Sequence, residues 1–143
     1  MPKARGVQVA WMADALCRAG VDLTLAYVPS PAGHPLSPIG RSVPGNLTLL
    51  PVSRNWPFPF LRWHSVERFT RLLLPEIDRL NPDAIFVRHF KLAARLLQAR
   101  PDIPLIFEAH EIFADTASPG KRQEVAAEEK LVKAITVHSQ VGM

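Results

Sequence analysis

Three short stretches carry side chains suited to binding or activating a polar substrate. Arg88-His89 directly follows the apolar run Ala84-Ile85-Phe86-Val87, and Glu108-Ala109-His110-Glu111 directly follows Leu105-Ile106-Phe107. Gly6 stands just ahead of a segment with helical periodicity. An arginine leaving a buried strand must reach water, a carboxylate or an anionic ligand. For Arg88, an ion pair with Glu108 or Glu111 and a bound anion are both open readings. Where the chain stays extended, Glu108 and His110 point to the same side. A histidine beside carboxylates can donate a hydrogen bond or act as a general acid or base near neutral pH. A loop histidine satisfied by its neighbours is the plainer alternative. A glycine turn ahead of a helix offers free backbone N–H groups to an anion. A tight turn uses glycine for purely structural reasons as well.

Other chemistries lack their patterns. His110-Glu111 has no second histidine one helical turn away, so a zinc protease is unsupported. No Cys/His cluster has ligand spacing, and no metal is expected. There is no Gly-x-x-x-x-Gly-Lys and no Gly-x-Gly-x-x-Gly, so nucleotide binding by this half has no motif behind it. Ser139 lacks the Gly-x-Ser-x-Gly elbow of a nucleophile. Cys17 lies in an amphipathic segment and reads as packing.

The elements that must hold these residues follow from periodicity. Val9, Met12, Ala13 and Leu16 recur at helical spacing over residues 7–19, and Gly20 stops that helix. Residues 23–28 read as a buried strand, ended by Pro29 and a Pro/Gly/Ser-rich loop running to Gly45. A second strand covers residues 47–50. Val66, Phe69, Leu72, Leu73, Ile77 and Leu80 keep helical spacing, with a kink expected at Pro75. Strands follow at 84–87 and 105–107, separated by a helix around Leu92, Leu96 and Leu97 that stops before Pro101. A charged helix over residues 121–133 and a fifth strand at 135–137 close the series.

Short, continuously apolar strands alternating with helices predict an α/β fold: a Rossmann-like, doubly wound parallel sheet with helices on both faces. Such domains usually open on a strand, then a glycine turn, then the first helix. This sequence opens on the turn, so the central first strand is expected to be missing and to precede Met1.

The chain has 143 residues, 48% of them hydrophobic and 21% charged, which suits one globular domain rather than disorder. No apolar run approaches the roughly 20 residues of a membrane helix. The single cysteine leaves no internal disulfide and fits a reducing compartment, so the cytoplasm is the expected location. The net charge of +4 suits nucleic acid, an anionic surface or a phosphate-bearing substrate without choosing among them. Lys and Arg are scattered rather than striped and no recognition motif accompanies them, so nucleic acid is not an expected partner. Trp56, Phe58, Phe60 and Trp63 lie among Arg54 and Arg62. These rings suit peripheral contact with the inner face of a membrane, or they simply cover the sheet.

Four of these stretches, in order, resemble the N-terminal, acceptor-side domain of family 4 glycosyltransferases. Arg5-Gly6-Val7-Gln8, leading to Leu16-Cys17-Arg18-Ala19-Gly20 and Val21-Asp22-Leu23-Thr24-Leu25, is similar to the family's opening. Phe86-Val87-Arg88-His89 is similar to its Y-x-R segment. Pro104 to Glu111 resembles its P-hydrophobic-x-E-x-H-(D/E) pattern. Glu128-Glu129-Lys130 and Ala134-Ile135-Thr136-Val137-His138-Ser139 resemble the segment that follows, in which the serine position is structural. The resemblance implies the N-terminal half of a GT-B fold, here residues 1–143 as one incomplete domain without the donor-binding half. It implies retaining transfer of a sugar from a nucleotide-sugar to a sugar or lipid-linked acceptor. The nucleotide-sugar is a co-substrate, and no cofactor is implied. His110 would lie at the reaction centre and Gly6 near the donor phosphates, with Arg88, Glu108 and Glu111 on the cleft wall. Since both domains position the leaving diphosphate, this half alone is expected to be inactive. The alternative is a non-catalytic α/β accessory module that pairs with a separate donor-binding domain.

Overall fold

The computed structural model describes residues 4–53, 66–108 and 126. The fold is α/β, with parallel strands in two two-stranded sheets, compatible with a Rossmann-like domain. Its elements are α1 (Ala4–Arg18), β1 (Leu23–Tyr27), a short 3-10 helix (Ser37–Ile39), β2 (Leu47–Pro51), α2 (Val66–Leu80), β3 (Ile85–Val87), α3 (Phe90–Ala99) and β4 (Leu105–Phe107). The chain divides into two compact units, Met1–Trp63 and His64–Met143. The helix expected over residues 121–133 and the strand at 135–137 lie outside the described residues, apart from the helical Ala126.

In the first unit β1 and β2 pair in parallel, from Leu23 against Leu47 to Tyr27 against Pro51. Cys17, Leu36 and Leu47 form the buried centre, packed by Leu23, Leu25, Ile39 and Leu49. The Pro/Gly/Ser-rich connection is therefore more than a surface loop, because Leu36 within it is fully buried. Burial, reinforced by the charges of Asp14 and Asp22, pushes the Cys17 thiol above its ordinary value, so it serves as packing.

The end of α1 is closed by backbone geometry and one side chain. Gly20 adopts the left-handed conformation (φ +88°). Its N–H bonds to the Cys17 carbonyl at 3.0 Å, and the Val21 N–H bonds to the Leu16 carbonyl at 3.1 Å. This is the Schellman arrangement, which glycine enters without a Cβ clash. Asn46, just before β2, donates from Nδ2 to the carbonyls of Cys17 (2.8 Å) and Val21 (2.9 Å). It thereby ties the helix end to the second strand. An Asn46→Ala chain is expected to lose about 1–2 kcal/mol of stability, measured as a lower denaturation midpoint. An unchanged midpoint would show that water replaces both bonds.

In the second unit β3 and β4 also pair in parallel, with Ile85, Phe86 and Val87 opposite Leu105, Ile106 and Phe107. Val87 and Leu105 are buried with Leu73 and Ile77 of α2, Phe90, Ala93, Ala94, Leu96 and Leu97 of α3, and Ile103. Phe86 and Ile106, one register pair, are exposed. Ion pairs also join α2 to α3 and the turn after it: Arg95 meets Glu67 at 2.9 Å, and Arg100, the C-cap of α3, meets Asp78. Helix α2 runs as one element through Pro75. Thr70, buried inside it, donates its hydroxyl to the Val66 carbonyl at 2.8 Å.

Candidate functional site

In open parallel sheets ligands bind beyond the carboxyl ends of the strands. Arg88 and Glu108 sit there, each the first residue past its strand. The pairing of Val87 with Phe107 brings them side by side, and the Glu108 N–H bonds to the Val87 carbonyl at 3.1 Å. Arg88 Nε then meets a Glu108 carboxylate oxygen at 3.0 Å. The ion pair with Glu108, one of the readings open for Arg88, is present. The side chain of Arg88 is only 15% exposed and that of Glu108 is 42% exposed. A charge-assisted bond of this length fixes the guanidinium firmly.

His89 supports the same edge from the backbone side. It is the N-cap of α3, and its Nδ1 accepts from the Leu92 N–H at 3.4 Å. That bond requires an unprotonated Nδ1, so in this arrangement any ring proton sits on Nε2. The strand-to-helix turn thus holds Arg88 between a paired strand and a capped helix.

Gly6 departs from its expected place. It lies in the first turn of α1 instead of in a tight turn ahead of it, and its backbone does not need the left-handed region. A Cβ built there meets nothing within 4 Å. Helical hydrogen bonding already extends back to Ala4, so the helix begins earlier than periodicity alone suggested. Gly6→Ala is expected to stabilise the chain by up to about 1 kcal/mol, read as a raised melting temperature. A lowered melting temperature would mean that the glycine answers a constraint the first unit does not show.

His110 and Glu111 lie outside the described residues, as do Trp56 and Trp63. Among the described residues no group of three or more metal-ligating side chains gathers, and no helix is long and apolar enough to cross a membrane.

The sequence profile of the glycosyl transferase 4-like domain matches residues 5–138. The chain belongs to that family. The match spans β1 to β4, the helices between them and all but the first residue of α1, together with the Arg88–Glu108 pair. No curated protein and no solved structure matches the chain significantly. A glycosyl transferase 4-like domain works on a sugar donor and an acceptor. The carboxyl rim of β3 and β4 carries the Arg88–Glu108 pair. Sequence reasoning found both members of that pair. It did not find Asn46, whose role depends on a contact 29 residues away from Cys17.

Proposed function

We propose that this glycosyl transferase 4-like domain is the acceptor-side half of a GT-B enzyme that transfers a sugar from a nucleotide-sugar with retention at the anomeric carbon. The match over residues 5–138 carries the reading, and the Arg88–Glu108 pair at the strand ends supports it. In the reaction the bond from the anomeric carbon to the diphosphate breaks and a bond to the acceptor oxygen forms. The acceptor hydroxyl proton leaves with the departing diphosphate or with a nearby base.

Arg88 and Glu108 would line the acceptor wall, with Glu111 beside them. His110 would stand at the reacting carbon, donating a hydrogen bond to the donor sugar, and the start of α1 near Gly6 would face the donor phosphates. No cofactor is needed for this chemistry, since the nucleotide-sugar arrives already activated. Residues 1–143 supply one wall only, and catalysis of this kind draws on preorganised groups from both. We therefore expect no turnover from them without a donor-binding half. The work would take place at the cytoplasmic side, and Trp56 and Trp63 would serve contact with a membrane-held acceptor.

The experiment is a transfer assay with a panel of nucleotide-sugars and simple glycoside acceptors. It compares these 143 residues alone with the same residues joined to a donor-binding domain. Transfer only in the joined form, with the anomeric configuration kept by proton NMR, is the expected result. His110→Ala in the joined form should then reduce the rate by about 100-fold or more. Transfer by the 143 residues alone, or inversion of configuration, would refute the corresponding part of the proposal.

A further inference from the structure

We infer that the first unit binds an anionic lipid surface, and that Trp11 and Arg41 form one of its points of contact. The inference rests on the membrane-held acceptor of the proposed function and adds to it the sign of the surface and two residues that touch it. Helix α1 buries its small residues Ala10, Ala13 and Cys17, and leaves its largest side chain, Trp11, 48% exposed. Arg41, itself exposed, lies over that indole with its guanidinium carbon 5.7 Å from the ring centroid. A lone exposed indole is ordinary on a protein surface. An indole that carries a cation on its face combines two preferences met at a bilayer interface, where the ring sits at headgroup level and the guanidinium meets phosphate.

The charge around the pair favours the same partner. Met1–Trp63 holds six Lys and Arg against two acidic residues, Asp14 and Asp22, whereas His64–Met143 holds eleven of each sign. The whole net charge of +4 therefore belongs to the first unit. Asp14 is taken by Arg18 at 3.0 Å. Among the described residues no carboxylate meets Arg41, so its N–H groups are left to water or to phosphate oxygens. All three tryptophans of the chain fall in this unit as well. Insertion of apolar rings and attraction to anionic headgroups add in peripheral binding. A nucleic-acid duplex would attract the same charge, but it offers phosphates without an acyl layer to take the indole.

The test measures partitioning of the 143-residue chain onto sedimented vesicles. Phosphatidylcholine mixed with phosphatidylglycerol is expected to bind it about tenfold or more better than phosphatidylcholine alone. Arg41→Gln should weaken binding to the mixed vesicles about fivefold. Lys91→Gln removes a positive charge from the second unit, where Lys91 lies 6.0 Å from the Phe90 ring. It should change binding by less than about twofold, because charge away from the contact is screened. Trp56→Phe together with Trp63→Phe leaves Trp11 as the sole tryptophan. Its fluorescence should then be quenched by brominated acyl chains in the mixed vesicles. Melting curves check that each variant folds. Equal binding to neutral vesicles would overturn the inference, as would equal losses from Arg41→Gln and Lys91→Gln. So would Trp11 fluorescence untouched by brominated lipid, or duplex DNA bound as tightly as the mixed vesicles.

Vesicle binding needs no turnover, so it is read apart from sugar transfer. Binding to mixed vesicles without transfer from any nucleotide-sugar in the joined form would sink the proposed function and leave the lipid contact standing. Transfer to soluble glycosides with no vesicle binding would do the reverse.

Discussion

A Leu36→Ala chain is expected to be about 3 kcal/mol less stable than its parent, a larger loss than most single substitutions bring. Leu36 has no exposed surface and meets Cys17 and Leu47 at the centre of the first unit, with Leu23, Leu25, Ile39 and Leu49 around them. Deleting its branched end removes buried apolar surface and leaves a cavity that two strands and a helix cannot easily close. The position is unusual for a core residue. It lies in a proline-rich connection, where the Leu36 N–H bonds to His34 Nδ1 at 3.2 Å and the following residues form a 3-10 turn. The connection thus supplies core that a crossover helix would otherwise provide. Leu36→Met conserves volume and should cost under about 1.5 kcal/mol. Urea denaturation followed by circular dichroism measures both. A Leu36→Ala loss below that of the methionine control would show that the connection is not anchored in this way.

Pro75→Ala is expected to act in the opposite direction, raising stability by about 2 kcal/mol. Proline inside a helix lacks the N–H that would bond to the carbonyl of residue 71, and its ring crowds the preceding turn. Helix α2 nevertheless continues through it to Leu80. Pro75 is exposed, while Thr70, Leu73 and Ile77 provide the buried contacts, so alanine restores a hydrogen bond without disturbing the core. The measurement is the same denaturation midpoint. A fall would mean that the helix uses a bend at Pro75 to seat Leu73 and Ile77.

The strands were legible because each is a short apolar run bounded by Pro, Gly or charged residues. Structure and sequence agree there to within about a residue, as at Leu105–Phe107. Helix α2 was equally plain from its apolar spacing. The start of α1 was not, because one glycine satisfies both a turn and an exposed helical position, and only the backbone decides. Leu36 was hidden for a related reason: prolines and glycines around it signal a loop, and composition carries no sign of what a loop residue packs against. At the candidate site, position was readable and partnership was not. Arg88 and Glu108 both stood out as residues leaving strands. That Arg88 meets Glu108 depends on which residue of one strand faces which of the other, a tertiary fact that periodicity does not contain.

The ion pair at the strand ends also bears on how β3 and β4 find their alignment. Strands of three residues offer few backbone bonds to distinguish the correct match from its neighbours. Sliding either strand by one position would turn its buried residues outward and draw the opposite charges apart. The guanidinium and the carboxylate therefore act as a proofreading mark, rewarding the alignment that buries Val87 and Leu105. The ligand site we propose there would come into being only in molecules whose sheet has zipped correctly.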